Sequence, residues 1–476
     1  MNYVSTRGEA PVLTFTDVLL AGLARDGGLY VPEAWPQFST AEIASWKDLA
    51  YVDLALKVMT PFVGGTLSED ELRTIVTDAY SHFDTPDVAP LQPIGHHEYL
   101  MELFHGPTLA FKDVAMQFLG PLFDHVLAKR GERICIVGAT SGDTGSAAIE
   151  ACRDRANIDI FILYPDGRVS DVQRRQMTCV NAANVHTIAL EGTFDDCQDA
   201  VKALFNDLEF RDRMNLSAVN SINWARIMAQ IVYYFWAALK VGGPETPVNF
   251  AVPTGNFGNV FAGYVAVQMG LPVRQLIVGS NANDILTRFF ESGTMEMDKV
   301  IPTISPSMDI QVSSNFERLL FELYHRDGAK VAKTMSAFRE EGRFAVDAEA
   351  LAEARKLFDG ARFTDEQTGI LIDAHYIATK EMLDPHTAVG LSAGRALRKD
   401  TSLPLVALAT AHPAKFPDAV EEATYVRPLL PDRMADLFDR PEKVNVLAND
   451  LAEVRRFIED RVTAPGGKAK SGGAAA

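Results

Sequence analysis

RICIVGATSGDTGSAAIEAC, residues 133–152, is the stretch from which the fold is read. RICIVG (133–138) is a continuous β-branched run, not an alternating one, as expected for a strand buried on both faces. TGSAAIEAC (144–152) has a helical pattern, so the glycine-rich turn between them joins a strand to a helix. The strand signature recurs at DIFILY (159–164), NVHTIAL (184–190), VNFAVP (248–253), RQLIVG (274–279) and LPLVALAT (403–410). Helical patterns lie between, among them FDDCQDAVKALFNDL (194–208) and NDILTRFF (283–290). Such alternation predicts an α/β fold with mostly parallel sheets.

Upstream, residues 1–90 hold helix-like stretches (TFTDVLLAGLA, SEDELRTIVTDAYSHF) and the turn-rich DGGLYVPE, which predicts an N-terminal helical subdomain. The texture then changes. Residues 91–220 read as a smaller α/β domain and 221–463 as a larger one. APGGKAKSGGAAA (464–476) is a low-complexity tail, expected to be disordered.

Composition narrows the function classes. Against 45 Lys and Arg stand 63 Asp and Glu, a formal net charge of −18, so the surface as a whole repels nucleic acid and anionic membranes. Four cysteines (Cys135, Cys152, Cys179, Cys197) show neither CxxC nor a metal-like pairing with histidine, which predicts a reduced compartment and no metal site. MNYVSTRGEAPVLTF lacks the basic and apolar regions of a secretory signal. The longest apolar run, IVYYFWAAL (231–239), is far short of the ~20 residues that span a bilayer. A cytoplasmic protein without membrane or nucleic-acid partners is expected. His96 and His97 are adjacent, which does not give two ligands on one helical face, and they read as surface residues.

Two strand-to-helix turns are rich in glycine: IVGATSGDTGSAA (136–148) and VPTGNFGNVFAG (252–263). Turns of this kind present backbone N–H groups at a helix N-terminus, a natural anion site. The first lacks the Lys-Ser/Thr of a P-loop, and its GxxxGxxG spacing misses the dinucleotide fingerprint. Taken singly, each is equally well a tight turn needing glycine for backbone geometry. Two in one chain, one with Asn256 and Asn259 flanking Phe257, point toward bound anions.

HGPTLAFKDVAMQ (105–117) sets Lys112 beside a stripe of Phe111, Val114, Ala115 and Phe118, on a helix expected from about Thr108. A lysine withdrawn from water has a lowered pKa and serves as nucleophile or base. The bland reading is a lysine whose stem packs on the helix face. Paired with two anion loops, a Schiff-base lysine for pyridoxal phosphate becomes credible. LVALATAHPAKFP (405–417) puts the Thr410 hydroxyl at a strand's C-terminal edge, where ligands of α/β sheets bind. NSINWARIMAQ (220–230) offers Asn220, Ser221, Asn223 and Arg226 at a helix start, or simply a helix cap.

Together these segments resemble the threonine synthase family, in its longer form with an N-terminal extension. The resemblance runs through nearly the whole chain: YVSTRG (3–8), DGGLYVP (26–32), HGPTLAFKD (105–113), ATSGDTGSAA (139–148), SSNFERLLF (313–321) and ATAHPAKFP (409–417). It implies a fold-type II pyridoxal-phosphate enzyme, similar to the tryptophan synthase β chain. Two open, mostly parallel sheets would be flanked by helices. Lys112 would carry the cofactor and act as the catalytic base. Gly255, Asn256, Phe257, Gly258 and Asn259 would cradle its phosphate, and Thr410 would bond its pyridine nitrogen. Ser141, Gly142, Asp143 and Thr144 would take the α-carboxylate side of the substrate, while Asn220, Ser221, Asn223 and Arg226 would face its phosphate. Asp143 departs from the asparagine of many fold-type II relatives. DPHTAVG (384–390) also resembles the family's sequence; contact with the cofactor region and helix capping both stay open. His105 and His412 flank the two catalytic segments, either lining the site or structural.

The implied reaction takes O-phospho-L-homoserine and water to L-threonine and phosphate. Its leaving group sits on Cγ, so protons must leave Cα and then Cβ, and a base near both carbons is needed. A neutral hydroxyl at the pyridine nitrogen suits elimination rather than transamination. A closed site is expected, because early hydrolysis would give an oxo acid. Two rivals are a phospholyase that stops at 2-oxobutyrate and a non-catalytic relative that binds a phosphorylated metabolite. A monomer or homodimer is expected.

Overall fold

The computed structural model describes residues 1–218 and 221–463. The chain divides into two compact units, Met1–Ala115 with Ser221–Pro431, and Met116–Asn220 with Asp432–Ala476, the latter less the residues outside the description.

The first unit is built on a six-stranded sheet in the order Phe358–Arg362, Val273–Ser280, Val248–Pro253, Leu405–Ala409, Glu98–Glu102, Leu91–Gly95. Its first five strands run parallel and the last is antiparallel. The three central strands are the continuous apolar runs, buried along almost their whole length. Helix Pro385–Leu397 packs on them at close range. A Cβ on Gly390 would come 2.7 Å from Pro253 Cδ, and one on Gly394 would come 2.7 Å from Ala251 Cβ. Glycine at these two positions therefore lets the middle and C-terminal half of the helix lie close against strand Val248–Pro253. IVYYFWAAL lies inside the buried helix Trp224–Lys240. No helix among the described residues is long and apolar enough to cross a membrane.

The N-terminal region of this unit has the two expected helices, Phe15–Ala21 and Glu69–Tyr80, the latter with a Ser68/Glu71 capping box, and a further helix, Tyr51–Val63. It also has a small antiparallel sheet, Leu13–Thr14, Asn2–Ser5 and Tyr30–Pro32, which its helical reading did not include. These strands have two to four residues, too short for a period to show.

The second unit holds a five-stranded, wholly parallel sheet in the order Val446–Ala448, Val185–Glu191, Ile158–Pro165, Ile134–Ala139, Leu216–Ser217. One core joins Val137, Phe161, Leu163 and Ile188 to Leu204, Val454 and Phe457. The division differs from the contiguous boundaries expected from sequence. Residues 91–115, with Lys112, belong to the first unit because strands Leu91–Gly95 and Glu98–Glu102 extend its sheet. Residues 432–463 return to the second, where Val446–Ala448 pairs beside Val185–Glu191. His96 and His97 form the turn between the first two of these strands, with His97 at φ 56°.

Candidate functional site

In the first unit, the loop between strand Val248–Pro253 and helix Gly258–Gln268 has its carbonyls tied down. Ser313 Oγ donates to the Gly255 carbonyl at 2.7 Å. Asn315 donates to the Asn256 carbonyl from both its main-chain N–H and its Nδ2, each at 3.1 Å. Phe257 stands at φ 64°, a conformation that a bulky residue keeps only when its surroundings hold it. Its ring packs 5.1 Å from Phe316 and 5.6 Å from Phe358. With the carbonyls occupied, the amides from Gly255 to Asn259 donate to no acceptor among the described residues. They open at a helix N-terminus, the geometry of an anion nest. Asn259 Oδ1 accepts from Tyr233 (2.6 Å) and Tyr234 (3.0 Å). Its Nδ2 is buried with no partner among the described residues.

Lys112 is the first residue of helix Lys112–Arg130, whereas periodicity predicts a start near Thr108. The reason is local. Buried Asp113 accepts the Thr108 N–H and hydroxyl, both at 2.7 Å, and buried Lys415 donates to the Thr108 carbonyl at 2.7 Å. Leu109 takes φ 63°, which no helix allows. Residues 109–111 instead run antiparallel to 410–412, with Phe111 N–H on the Thr410 carbonyl (2.8 Å) and His412 N–H on the Leu109 carbonyl (3.0 Å). Lys112 is half-buried, and its Nζ lies 3.5 Å from Ser307 Oγ.

Ser307 carries no motif signal, and sequence reasoning missed it. Its N–H donates to His386 Nε2 at 3.2 Å, and His386 Nδ1 donates to Asp384 Oδ1 at 2.9 Å. Those two bonds fix the imidazole tautomer. Asp384 Oδ2 accepts the Thr387 hydroxyl, whose oxygen in turn accepts the Thr410 N–H at 3.1 Å. Buried Asp384 thus connects the strand end at Thr410 to the neighbour of Lys112, and it also caps helix Pro385–Leu397. Of the two readings left open for DPHTAVG, helix capping is realised, and the same segment bonds to Ser307 and Thr410. A Cβ on Gly255 would come 3.1 Å from the Ser307 carbonyl, so the nest reaches the same turn.

Ser221, Asn223 and Arg226 belong to this unit as well; Asn220 lies outside the described residues. The Ser221 carbonyl accepts from Asn315 Nδ2 at 3.1 Å. Asn223 uses its carboxamide in the fold: Nδ2 donates to the Leu19 carbonyl (2.9 Å) and Oδ1 accepts from Ala225 N–H (3.1 Å). Arg226 is 4% exposed, with Nε and Nη1 buried and unpartnered among the described residues. Burial pushes its guanidinium down to about 10, leaving it cationic at neutral pH. A buried cation calls for an anionic partner.

Ser141, Gly142, Asp143 and Thr144 lie in the second unit, after strand Ile134–Ala139. Thr140 Oγ1 accepts from the amides of Gly142 (3.0 Å) and Gly145 (2.9 Å), which closes the turn. Gly142 stands at φ 142°, and a Cβ there would come 2.4 Å from Gln173 Cδ. Asp143 Oδ1 accepts from Gln173 Nε2 at 2.9 Å. Of the two flanking histidines, His105 is held between Asp84 (2.7 Å) and Glu102 (2.8 Å). His412 caps a short turn through Ala414 N–H (3.1 Å), and burial pushes its imidazole down to about 4.

Three family models match in chain order: "Threonine synthase N terminus" over residues 2–80, "Pyridoxal-phosphate dependent enzyme" over 87–358, and "Threonine synthase, C-terminal" over 387–458. The chain is 57% identical to the threonine synthase of Pseudomonas aeruginosa, over 96% of this chain and 98% of that one. The chain belongs to the threonine synthase family. It is also 41% identical to the threonine synthase of Saccharomyces cerevisiae, over 97% of this chain and 98% of that one. The crystal structure of pyridoxal-phosphate-bound threonine synthase from Brucella melitensis superposes with a TM-score of 0.96 at 54% identity, covering 98% of this chain and all of that one. Membership makes this a fold-type II enzyme whose cofactor is pyridoxal phosphate. The residues fit that cofactor. Unclaimed amides and the orphaned Asn259 Nδ2 suit a phosphate, and a half-buried lysine in the same unit suits an aldehyde.

Proposed function

We propose that this chain converts O-phospho-L-homoserine and water to L-threonine and phosphate, the last step of threonine biosynthesis. The observation that carries the reading is the grouping around Ser307 and Asp384, where Lys112, the Gly255–Asn259 nest and Thr410 meet within one unit. In this reading Lys112 holds the cofactor covalently, the five amides hold its phosphate, and the Thr410 hydroxyl faces its ring nitrogen. The bound cofactor supplies an electron sink that acidifies the substrate's Cα–H.

The remaining work belongs to the chain. Released to a free amine, Lys112 takes the proton from Cα and then serves Cβ, and Ser307 Oγ keeps Nζ in position. Arg226 draws the substrate phosphate to a buried cation and steadies it as it leaves Cγ. Asn223 holds that segment in shape, with Ser221 and Asn220 as further donors. Ser141, Gly142, Asp143 and Thr144 orient the α-carboxylate. The reading includes a cytoplasmic setting and a monomer or homodimer acting on a small molecule.

Incubating the purified chain with O-phosphohomoserine tests this. Equal yields of threonine and phosphate are expected. Phosphate with 2-oxobutyrate and no threonine would make the chain a phospholyase. Binding without phosphate release would make it a binding relative.

A further inference from the structure

The N-terminal region has a structural link to the nest. Asn315, fully buried, holds the Asn256 carbonyl with two donors, and its Nδ2 also reaches the Ser221 carbonyl, each at 3.1 Å. Its Oδ1 accepts from Arg318 Nη1. Arg318 is fully buried too, donating to the Tyr30 carbonyl from Nε (3.2 Å) and Nη2 (3.0 Å) and to the Ile222 carbonyl at 2.6 Å. Next to it, Glu317 accepts from Thr6 Oγ1 (2.6 Å) and from Arg7 Nε (3.1 Å) and Nη2 (2.9 Å). Tyr30 and Ser5 are register partners in the N-terminal sheet, and Thr6 and Arg7 follow directly. One small sheet therefore grips two consecutive residues of helix Phe316–Leu323, and the residue just before that helix holds the nest.

Packing alone would not need these groups. A guanidinium with carbonyl partners in fixed directions sets angle as well as distance, which an apolar contact does not. Asn315 Nδ2, shared between the Asn256 and Ser221 carbonyls, ties the two anion-facing segments of this unit together.

We infer that the N-terminal sheet is a brace for the cofactor-phosphate loop, with Arg7, Glu317, Arg318 and Asn315 as positioning residues that keep the amides of Gly255–Asn259 presented. The inference rests on the assignment of that loop to the cofactor phosphate. It predicts that loosening the brace weakens cofactor retention before it changes the chemistry.

The test uses the full-length chain, with and without cofactor, in the variants Glu317→Gln, Arg7→Ala and Arg7→Lys. Cofactor affinity of the apoprotein is read by fluorescence quenching, and melting temperature is read in both states. Glu317→Gln and Arg7→Ala are expected to weaken cofactor binding about tenfold, the loss of a charge-assisted hydrogen bond. The gap between holo and apo melting temperatures narrows accordingly, and Arg7→Lys recovers part of the loss. Leu72→Ala, in the N-terminal core away from the brace, lowers both temperatures together and serves as the control. Brace variants that behave like Leu72→Ala, with unchanged cofactor affinity, would overturn the inference. Failure of inorganic phosphate to compete with the cofactor in the unsubstituted chain would overturn the loop assignment itself, a separate result.

Discussion

The amide of Phe111 donates to the carbonyl of Thr410 at 2.8 Å, and through that bond the lysine segment is fixed to the end of a central strand. Both groups belong to the main chain. The side chain of Thr410 is therefore free of the task of holding Lys112 in place. Thr410→Val is expected to fold with a melting temperature near that of the parent, while kcat falls about 100-fold through loss of the hydroxyl. Measuring the two separately decides it: unchanged kcat would remove Thr410 from the chemistry.

Asp113 accepts from two buried donors of Thr108, and its loss removes both of those bonds. Asp113→Ala should cost about 2–3 kcal/mol in urea unfolding. Asp113→Asn keeps one carbonyl oxygen and should cost less. Both should lower kcat, because the segment that starts the Lys112 helix loses its anchor.

Asp143 shares Oδ1 with Gln173, a bond that an asparagine oxygen can also accept. Asp143→Asn should therefore retain activity within about tenfold, whereas Asp143→Ala should lose more. Gly142→Ala is a harsher change, because a Cβ would come 2.4 Å from Gln173 Cδ at φ 142°. A rise in KM exceeding any fall in melting temperature is the expected sign.

Burial pushes His186 from 6.5 down to about 4, with its ring stacked on Phe161 and Nε2 unpartnered among the described residues. Between those values the unfolded chain binds a proton that the folded chain refuses, so stability falls as pH drops from 6.5 toward 4. His186→Phe removes this proton uptake. It should raise stability relative to the parent at pH 5 by at most about 2 kcal/mol, with a smaller effect at pH 8. Parallel melting curves across that range would show that His186 carries none of the acid sensitivity.

The strands were the most legible part of the chain. DIFILY, VNFAVP and RQLIVG announce themselves because both faces are buried, and the observed strands Ile158–Pro165, Val248–Pro253 and Val273–Ser280 agree within a residue or two. Leu91–Gly95 and Val446–Ala448 were not legible. Each is a sheet edge with partly exposed residues, and such short mixed segments carry no period.

By itself the sequence determined the fold class, the family and the residue types that the chemistry requires, since each of these is written in local pattern or contiguous motif. HGPTLAFKD, ATSGDTG and GNFGN need no partner to be recognised. Only the tertiary structure decided where the Lys112 helix begins, because Asp113 and Lys415 unwind Thr108–Phe111 and Lys415 stands some 300 residues away. It alone brought Ser307 beside Lys112, and it gave Asp384 and Asn315, which lie in segments already quoted, their particular partners. Hydrogen bonds across such separations have no signature along the chain, and they set the direction of a lysine and of five amides.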